Sequence, residues 1–213
     1  MENETTTRDA ILDAAEALFA KHGFPATTIK RIGGEAGVNP ALIYYYFGDK
    51  EKLYRELLAR LFGRIAGGAG EQLAGATPDT AVRALLGFQS EALLRWPNMP
   101  RLLFRELLDH EAEHASDQMT HLAATAFVRF CELIRAGQRA GIFRADFDPR
   151  FAAISAISLL PYLHLARPAV GILLGHGTEG PTREEMEAYG RHAAEFVLSA
   201  LEARPSRGEG DRT

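Results

Sequence analysis

Residues 27–58 read TTIKRIGGEAGVNPALIYYYFGDKEKLYRELL, and the turn residues in this stretch predict short helices in close succession. Asn39 can cap a helix through its side-chain oxygen, and Pro40 suits the first helical position because a backbone N–H there would lack a partner. The helix that begins at Pro40 is expected to end at Gly48, after which Asp49 caps the next one.

A further short helix precedes this one. Thr27 or Thr28 can cap it, and Gly37 can end it. Two short helices joined by a tight glycine-containing turn form a helix-turn-helix. Because an interior glycine costs about 1 kcal/mol relative to alanine, the pair Gly33-Gly34 predicts that the first of these helices is loosely held.

The second helix carries three consecutive tyrosines, at positions 44–46. Ile43 and Phe47 lie one turn apart and can anchor the helix to a core, which leaves the tyrosines for the other faces. They could be half-buried cover for a small core. Together with Lys50, however, they favour hydroxyls and an ammonium directed at a phosphate backbone, with the surface of residues 39–45 in a major groove.

This stretch resembles the DNA-binding domain of TetR-type transcriptional repressors. The shared pattern is Thr and Ile, then AGV, a polar residue, an aliphatic residue, Tyr, an aromatic pair ending in Phe, and Lys-Glu at the next helix, and it covers about residues 7–58. The resemblance implies base contacts from one set of positions and phosphate contacts from another. The first set is Pro40, Ala41 and Tyr44; the second is Thr28, Tyr45, Tyr46 and Lys50; Asn39 completes the predicted DNA-binding surface.

The rest of the 213-residue chain has helical rather than alternating patterns, and 46% apolar residues suffice for a core. We therefore expect an all-α fold. An N-terminal three-helix helix-turn-helix domain (residues 1–50) is joined by a continuous helix to a larger helical effector-binding and dimerisation domain (51–204), followed by a disordered tail (205–213). Residues 1–6 are also expected to be disordered. Further helices are predicted at about 78–95, 99–113, 117–140 and 182–203.

The net charge bears on how the protein binds DNA, and the cysteine content bears on its cellular compartment. The net charge is −4, and residues 1–60 carry 8 basic and 9 acidic side chains, which is a poor electrostatic footprint for a DNA-binding protein. Residues 28–60 carry 6 basic and 4 acidic side chains, a net +2. Cys131 is the only cysteine, and the N-terminus has no apolar signal region, so a cytoplasmic protein is expected.

Residues 149–175 are apolar on nearly every helical face. A membrane span needs about 20 apolar residues, but Pro161, His164, Arg167 and Pro168 interrupt the run, so a membrane is not expected. A helix that is apolar all round is otherwise buried on two sides, and a partner subunit of a homodimer would supply the second side. One face of the last helix would complete an intersubunit bundle: Met186, Tyr189, Ala193, Phe196, Val197 and Leu201.

The segment His110-Glu111-Ala112-Glu113-His114 matches H-E-x-x-H, which on a helix places two imidazoles on one face for zinc, with Glu111 as a general base. His121 and Glu132 could supply a third ligand. A helical zinc hydrolase is therefore the alternative function. The segment lies at a polar helix end, where a solvated face is the default, and the sequence has no nucleophile elbow, P-loop or dinucleotide fingerprint. We accordingly expect a regulator, with no catalytic residue, metal or cofactor.

The middle helices carry more aromatic and sulfur-containing residues than a core needs, although plain core packing would also explain each of them. In this architecture they would surround an apolar cavity with a few polar groups. The predicted effector contacts are Phe88, Gln89, Trp96, Phe104, Phe127, Cys131, Tyr162 and His164. The expected function is a sequence-specific repressor that a small hydrophobic effector releases from an inverted-repeat DNA operator, with the helix from Lys50 to about Ile65 as the moving element.

Overall fold

A computed structural model describes residues 2–67 and 76–203, and every regular element within those ranges is helical. The all-α prediction is confirmed. The predicted tail at 205–213 lies outside the described residues. The elements are α1 (Glu2–Ala26), α2 (Ile29–Ala36), α3 (Pro40–Phe47), α4 (Lys50–Gly67), α5 (Pro78–Arg95), α6 (Met99–His110), α7 (Ser116–Leu122), a π-helical turn (Ala123–Phe127), α8 (Val128–Arg139), α9 (Pro149–Leu165), α10 (Arg167–Leu173) and α11 (Arg183–Leu201).

The helix-turn-helix forms as the turn residues predict. Thr28 caps α2, because its Oγ1 accepts a hydrogen bond from the Arg31 N–H at 3.2 Å. Gly37 ends α2 with a φ of 68°, in the left-handed region that glycine adopts without a side-chain clash. Asn39 then caps α3 by accepting from the Ala41 N–H at 2.9 Å. Local hydrogen bonding and the conformation of Gly37 therefore set where these two helices begin and end.

The two glycines of α2 differ in what surrounds them. A Cβ added at Gly33 would lie 3.0 Å from the Val38 carbonyl oxygen and 3.2 Å from Cγ of Pro40, whereas one added at Gly34 would meet nothing within 4 Å. Gly33 is buried where α2 meets the start of α3. The absence of a side chain at Gly33 permits the close approach of the two helices. Only Gly34 therefore lowers helix stability relative to alanine without a packing role in return.

The N-terminal helix differs from the expectation at its start. α1 begins at Glu2, although residues 1–6 were expected to be disordered. Gly23, predicted to end the helix, has a φ of 79° and a ψ of 170° and so marks a kink, after which a last helical turn runs to Ala26. The hydroxyl of buried Thr27 donates to the Gly23 carbonyl at 2.8 Å, which holds this turn against α2.

The helix α4 supplies one continuous core to both parts of the chain. Leu53, Leu57 and Leu61 are completely buried, as their spacing predicts. The same apolar cluster contains Ile11 and Phe19 of α1 and extends to α5, α6, α9 and α11. The chain therefore has no break in its packing near residue 50.

The region 117–140, predicted as one helix, contains a π-helical turn between α7 and α8. There the hydroxyl of Thr125 donates to the carbonyl of His121 at 2.7 Å. α8 packs on α5 and α9, and a second core of buried side chains forms around Phe130, Ile134 and Phe143. π-helical turns often occur at functional sites, because they displace side chains from the regular helical register.

The apolar segment 149–175 forms two helices, α9 and α10. Among residues 2–67 and 76–203, no single helix is both long and apolar enough to cross a membrane; α9 and α10 pass such a test only as a pair, and they are bent by 87° relative to each other.

The face predicted for α11 requires a correction. Met186, Ala193, Val197 and Leu201 are buried within their own chain, because α11 packs along α5 and α9. Phe196 points away from this core and is 59% exposed. A face that serves the chain's own core cannot also form a subunit interface, so Phe196 is the one member of the predicted set that is presented as a large apolar surface residue.

Candidate DNA-binding surface and effector cavity

The helix α3 has one buried and one exposed side. Ile43 is completely buried and Phe47 nearly so, and α3 packs on α2 and α4. Tyr44 and Tyr45 are 55% and 74% exposed. Tyr46 is half-buried and packs against the core, with its ring 5.2 Å from that of Tyr45. The structure thus presents two of the three tyrosine side chains to solvent and uses the third partly as cover for the core.

The residues at the N-terminal end of this surface have local structural roles as well. The side-chain oxygens of Thr28 and Asn39 already accept backbone hydrogen bonds as helix caps. Pro40 is half-buried, Ala41 is exposed, and Leu42 is 38% exposed. Thr28 and Asn39 thus lie at the N-terminal ends of α2 and α3, and Tyr44 and Tyr45 lie on the exposed side of α3.

The side chain of Lys50 makes contacts that the sequence did not indicate. Its ammonium donates to the carbonyl oxygens of Phe24 at 2.9 Å and of Thr27 at 3.1 Å, and it lies 4.2 Å from the centre of the Phe24 ring. The ammonium that the sequence predicts to contact a phosphate therefore also has a structural role. Lys50 joins the start of α4 to the segment between α1 and α2.

A cavity of about 280 Å³ lies between α4, α5, α6, α9 and the π-helical turn. Within the described part of the chain, its lining is apolar except for Gln89, whose Nε2 donates to the carbonyl of Ile157 at 2.7 Å. Phe88, Phe104 and Phe127 form aromatic walls. Four of the eight predicted effector contacts therefore line one cavity, and Ile65 of α4 lines it as well.

The other four predicted contacts lie outside this lining. Trp96 stacks on the guanidinium of Arg64, 5.0 Å from its ring centre. Cys131 is buried in the second core, where burial raises the pKa of its thiol. Tyr162 is 53% exposed on α9. Half-buried His164 lies near the end of α9, where burial and then the charge of Arg167 lower its pKa to about 4, so it is neutral at neutral pH.

Two family descriptions match most of the described chain. "Bacterial regulatory proteins, tetR family" matches residues 11–57, and "Tetracyclin repressor-like, C-terminal domain" matches residues 78–197. The chain belongs to the tetR family. These regulators carry an N-terminal helix-turn-helix for DNA, and the first matched range contains the capped α2–α3 unit and its exposed tyrosines.

Similar proteins include the HTH-type transcriptional repressor NicS of Pseudomonas putida, which is 33% identical over 79% of this chain and 80% of the relative. The HTH-type transcriptional repressor KstR2 of Rhodococcus jostii is 28% identical over 68% of this chain and 72% of the relative. Among solved structures, the ketosteroid transcriptional regulator KstR2 of Mycobacterium tuberculosis has a TM-score of 0.73 at 20% identity, and covers 92% of this chain and 95% of that one. The fatty acid degradation regulator FadR of Bacillus halodurans has a TM-score of 0.69 at 22% identity, and covers 91% of this chain and 98% of that one.

Sequence reasoning misjudged the H-E-x-x-H segment of this tetR-family chain. α6 ends at His110, and the next two residues, Glu111 and Ala112, have positive φ angles, so the two imidazoles do not share a regular helical face. His110 and His114 nevertheless meet, together with a residue that the motif does not include, buried Glu106. A signal was available, because Glu106 follows Leu102 by four residues on the apolar side of α6.

The two carbonyl contacts of Lys50 generate a prediction that needs no DNA. Lys50→Ala should lower the free energy of unfolding by about 1–3 kcal/mol, because it removes the ammonium donor from the carbonyls of Phe24 and Thr27. Urea unfolding followed by circular dichroism measures this. Lys52→Ala on the same helix is the control: Lys52 is highly exposed and pairs with Asp49 at 3.5 Å, an interaction of small value. Equal stability of the two variants would contradict the positioning role.

Proposed function

We propose that this tetR-family protein is a repressor that binds an inverted-repeat operator as a homodimer and leaves it when a small hydrophobic molecule occupies the cavity. The observation that carries the proposal is the exposed side of α3, where a capped and anchored helix presents Tyr44 and Tyr45 to solvent. A DNA-binding repressor acts where the DNA lies, which is the cytoplasm of a bacterium. We assign the chain no catalytic residue.

The proposed DNA contacts divide into base readers and phosphate contacts. Pro40, Ala41 and Leu42 have no side-chain hydrogen-bond donor, so they suit apolar contact with thymine methyl groups and recognition of DNA shape. Tyr44 is then the main polar reader of base edges. The hydroxyl of Tyr45 is proposed to donate to a phosphate oxygen, an interaction that positions the protein without reading sequence.

Thr28, Tyr46 and Lys50 complete the proposed phosphate contacts, although each also has a structural role. An ammonium has three N–H groups, and two of those of Lys50 donate to carbonyls. The third is proposed to donate to a phosphate. The capping oxygen of Asn39 fixes the position of α3, and we propose that its amide group faces the DNA.

Selection of DNA from a random library should return an inverted repeat. Removal of the Tyr44 hydroxyl and removal of the Tyr45 hydroxyl should then have different effects on binding to the selected sequence. Tyr45→Phe should weaken binding to all sequences alike, by about fivefold for one lost hydrogen bond worth about 1 kcal/mol. Tyr44→Phe should lose affinity mainly for the selected sequence and relax the preference at one position of each half-site. Fluorescence anisotropy with matched and mutated operators measures both. Uniform weakening by Tyr44→Phe would contradict its role as a base reader.

The proposed homodimer uses the exposed apolar side chains of α9 and α11, which pack beside each other. Phe151 and Ile154 on α9 are 67% and 50% exposed, and Phe196 on α11 is 59% exposed. Single exposed apolar residues are common, so the support for an interface is that these large ones occur on two helices that pack together. A two-fold arrangement of these helices would bring two recognition helices to successive major grooves, about one turn of DNA apart.

Phe196→Asp should convert the dimer into a folded monomer, because it would bury an unpaired charge at the proposed interface. Sedimentation velocity at micromolar concentration, with circular dichroism to confirm helix content, measures this. Leu108→Asp, at an 80% exposed leucine on α6, is the matched control and should leave the dimer intact. Leu201→Asp is unsuitable, because Leu201 is buried within its own chain. An unchanged dimer in Phe196→Asp would exclude this face.

The proposed effector follows from the size and lining of the cavity. Ligand pockets usually span roughly 300–1,000 Å³, so a cavity of about 280 Å³ suits a compact molecule. Four phenylalanines and one amide favour an apolar aromatic compound with a single polar group rather than a sugar or a nucleotide. Ligand entry is proposed to displace Ile65, and with it the tilt of α4, since only a ligand that distinguishes the two states can shift them.

Screening of apolar aromatic compounds by thermal shift should yield ligands that release the selected operator. Phe127→Ala should weaken the response to such a ligand by at least about tenfold, because it removes part of the cavity wall. Trp96→Ala serves as the control: Trp96 is another half-buried aromatic residue but stacks on Arg64 outside the lining, so the ligand dose that releases DNA should change little. Release by polar metabolites alone, with normal behaviour of Phe127→Ala, would contradict the proposal.

A further inference from the structure

Three side chains with metal-binding groups converge at the C-terminal end of α6. One ligand atom each of Glu106, His110 and His114 lies within 4.8 Å of the others. The two imidazole rings have their centres 4.8 Å apart and are nearly perpendicular. The proposed DNA-binding surface and effector cavity do not use these three side chains.

The backbone brings these residues together by an unusual turn. In a continuous helix, eight residues advance the chain by about 12 Å, so Glu106 and His114 would lie too far apart to meet. Instead, Glu111 and Ala112 adopt φ angles of 50° and 65°, which end the helical path after His110 in a turn. Two consecutive non-glycine residues in this region store backbone strain, a feature that concentrates at functional sites.

The cluster of Glu106, His110 and His114 is largely buried. Glu106 is 1% exposed and His114 is 7% exposed, whereas carboxylates are rarely buried unless they are paired. Oε1 of Glu106 accepts the backbone N–H of His114 at 2.7 Å, and Oε2 lies 3.2 Å from Nδ1 of the same residue. His110 is half-buried, so part of its side chain is accessible to solvent.

We propose that Glu106, His110 and His114 bind a divalent transition-metal ion, with Zn²⁺ as the first candidate. Two imidazole nitrogens and one carboxylate oxygen are the donor set of a three-residue zinc site with an open fourth position. With metal–ligand distances of about 2.0–2.1 Å, tetrahedral ligand atoms lie roughly 3.4 Å apart. Small side-chain rotations would therefore close the present cluster around an ion. This inference revises the expectation of no metal drawn from the sequence.

The position of the site suggests what the ion would do. The ring of Phe24, from the last turn of α1, lies 5.7 Å from the ring of His110 and 5.4 Å from that of His114. The ring of Tyr54 on α4 lies 5.3 Å from that of His114. A bound ion would thus fix the turn after α6 to α6 itself and hold in place the two imidazoles that pack against Phe24 and Tyr54. Metal binding would stabilise the junction between the two parts of the chain.

Titration of the full-length, metal-stripped protein tests the proposal. Isothermal titration with Zn²⁺ should give one ion per chain, and Co²⁺ should give the visible absorption of a tetrahedral nitrogen-ligated site. His110→Ala should weaken Zn²⁺ binding by more than about tenfold, since loss of even an outer partner of a metal ligand costs 10–100-fold. His121→Ala removes an exposed imidazole on α7 and should bind Zn²⁺ as the unmodified protein does. Zn²⁺ should raise the melting temperature of the unmodified protein and of His121→Ala, but not of His110→Ala.

Equal Zn²⁺ affinity in the unmodified protein and in His110→Ala would overturn the proposal, as would the absence of binding in both. Glu106→Gln provides a second test if His110→Ala perturbs the fold: it keeps the side-chain shape and one acceptor oxygen, and it should also weaken binding. Circular dichroism verifies the helix content of each variant. None of these measurements uses DNA or an apolar ligand, so their failure would leave the proposed repressor function untouched.

Discussion

Burial of one side of α4 is the constraint on which the rest of the structure depends. Four leucines of this helix, Leu53, Leu57, Leu58 and Leu61, are completely buried, and each contributes roughly 1.5–3 kcal/mol to folding. Their partners belong to the helix-turn-helix on one side and to the larger helical unit on the other. Because packed interiors are close to crystal density and deform little, α4 cannot tilt without carrying both sets of partners.

The helix α6 places two different chemistries beside this shared core. Leu103 and Phe104 line the apolar cavity, whereas Glu106 and His110 face the junction with α1 and α4. Ile65 connects the cavity to the C-terminal part of α4. An apolar ligand and a metal ion would therefore act on the same pair of helices at separate places, and each could bias the spacing of the recognition helices by its own differential affinity.

Charged groups in the N-terminal part of the chain serve cohesion more than DNA attraction. Glu16 of α1 is buried and accepts from Arg60 and Arg64 of α4, both at 2.9 Å. Arg64 in turn stacks on Trp96, at the end of α5. Residues 28–60 have a net charge of only +2, and several of their cations already have carboxylate partners. Electrostatic attraction to DNA is therefore weaker than this net charge suggests. Specific hydroxyl and apolar contacts from α3 must then supply much of the recognition.

The sequence by itself determined the helix-turn-helix, because its evidence is local. Thr28, Gly37, Asn39 and Pro40 set helix ends through hydrogen bonds and φ angles within a few residues, and those bonds are present in the structure. The apolar spacing of α4 and α5 was equally sufficient, since a period of 3.6 residues indicates which side is buried. These signals do not depend on what the helix packs against.

Tertiary structure alone decided the roles that depend on long-range partners. The ammonium of Lys50 donates to carbonyls 23 and 26 residues away in the sequence. Trp96 stacks on Arg64 instead of lining the cavity, and Leu201 is buried within its own chain. The meeting of Glu106 with His114 required a turn with positive φ angles at two non-glycine residues, which no propensity predicts. Local patterns specify where a helix begins, ends and is apolar, but the partner of each side chain is set by the packing of helices distant in sequence.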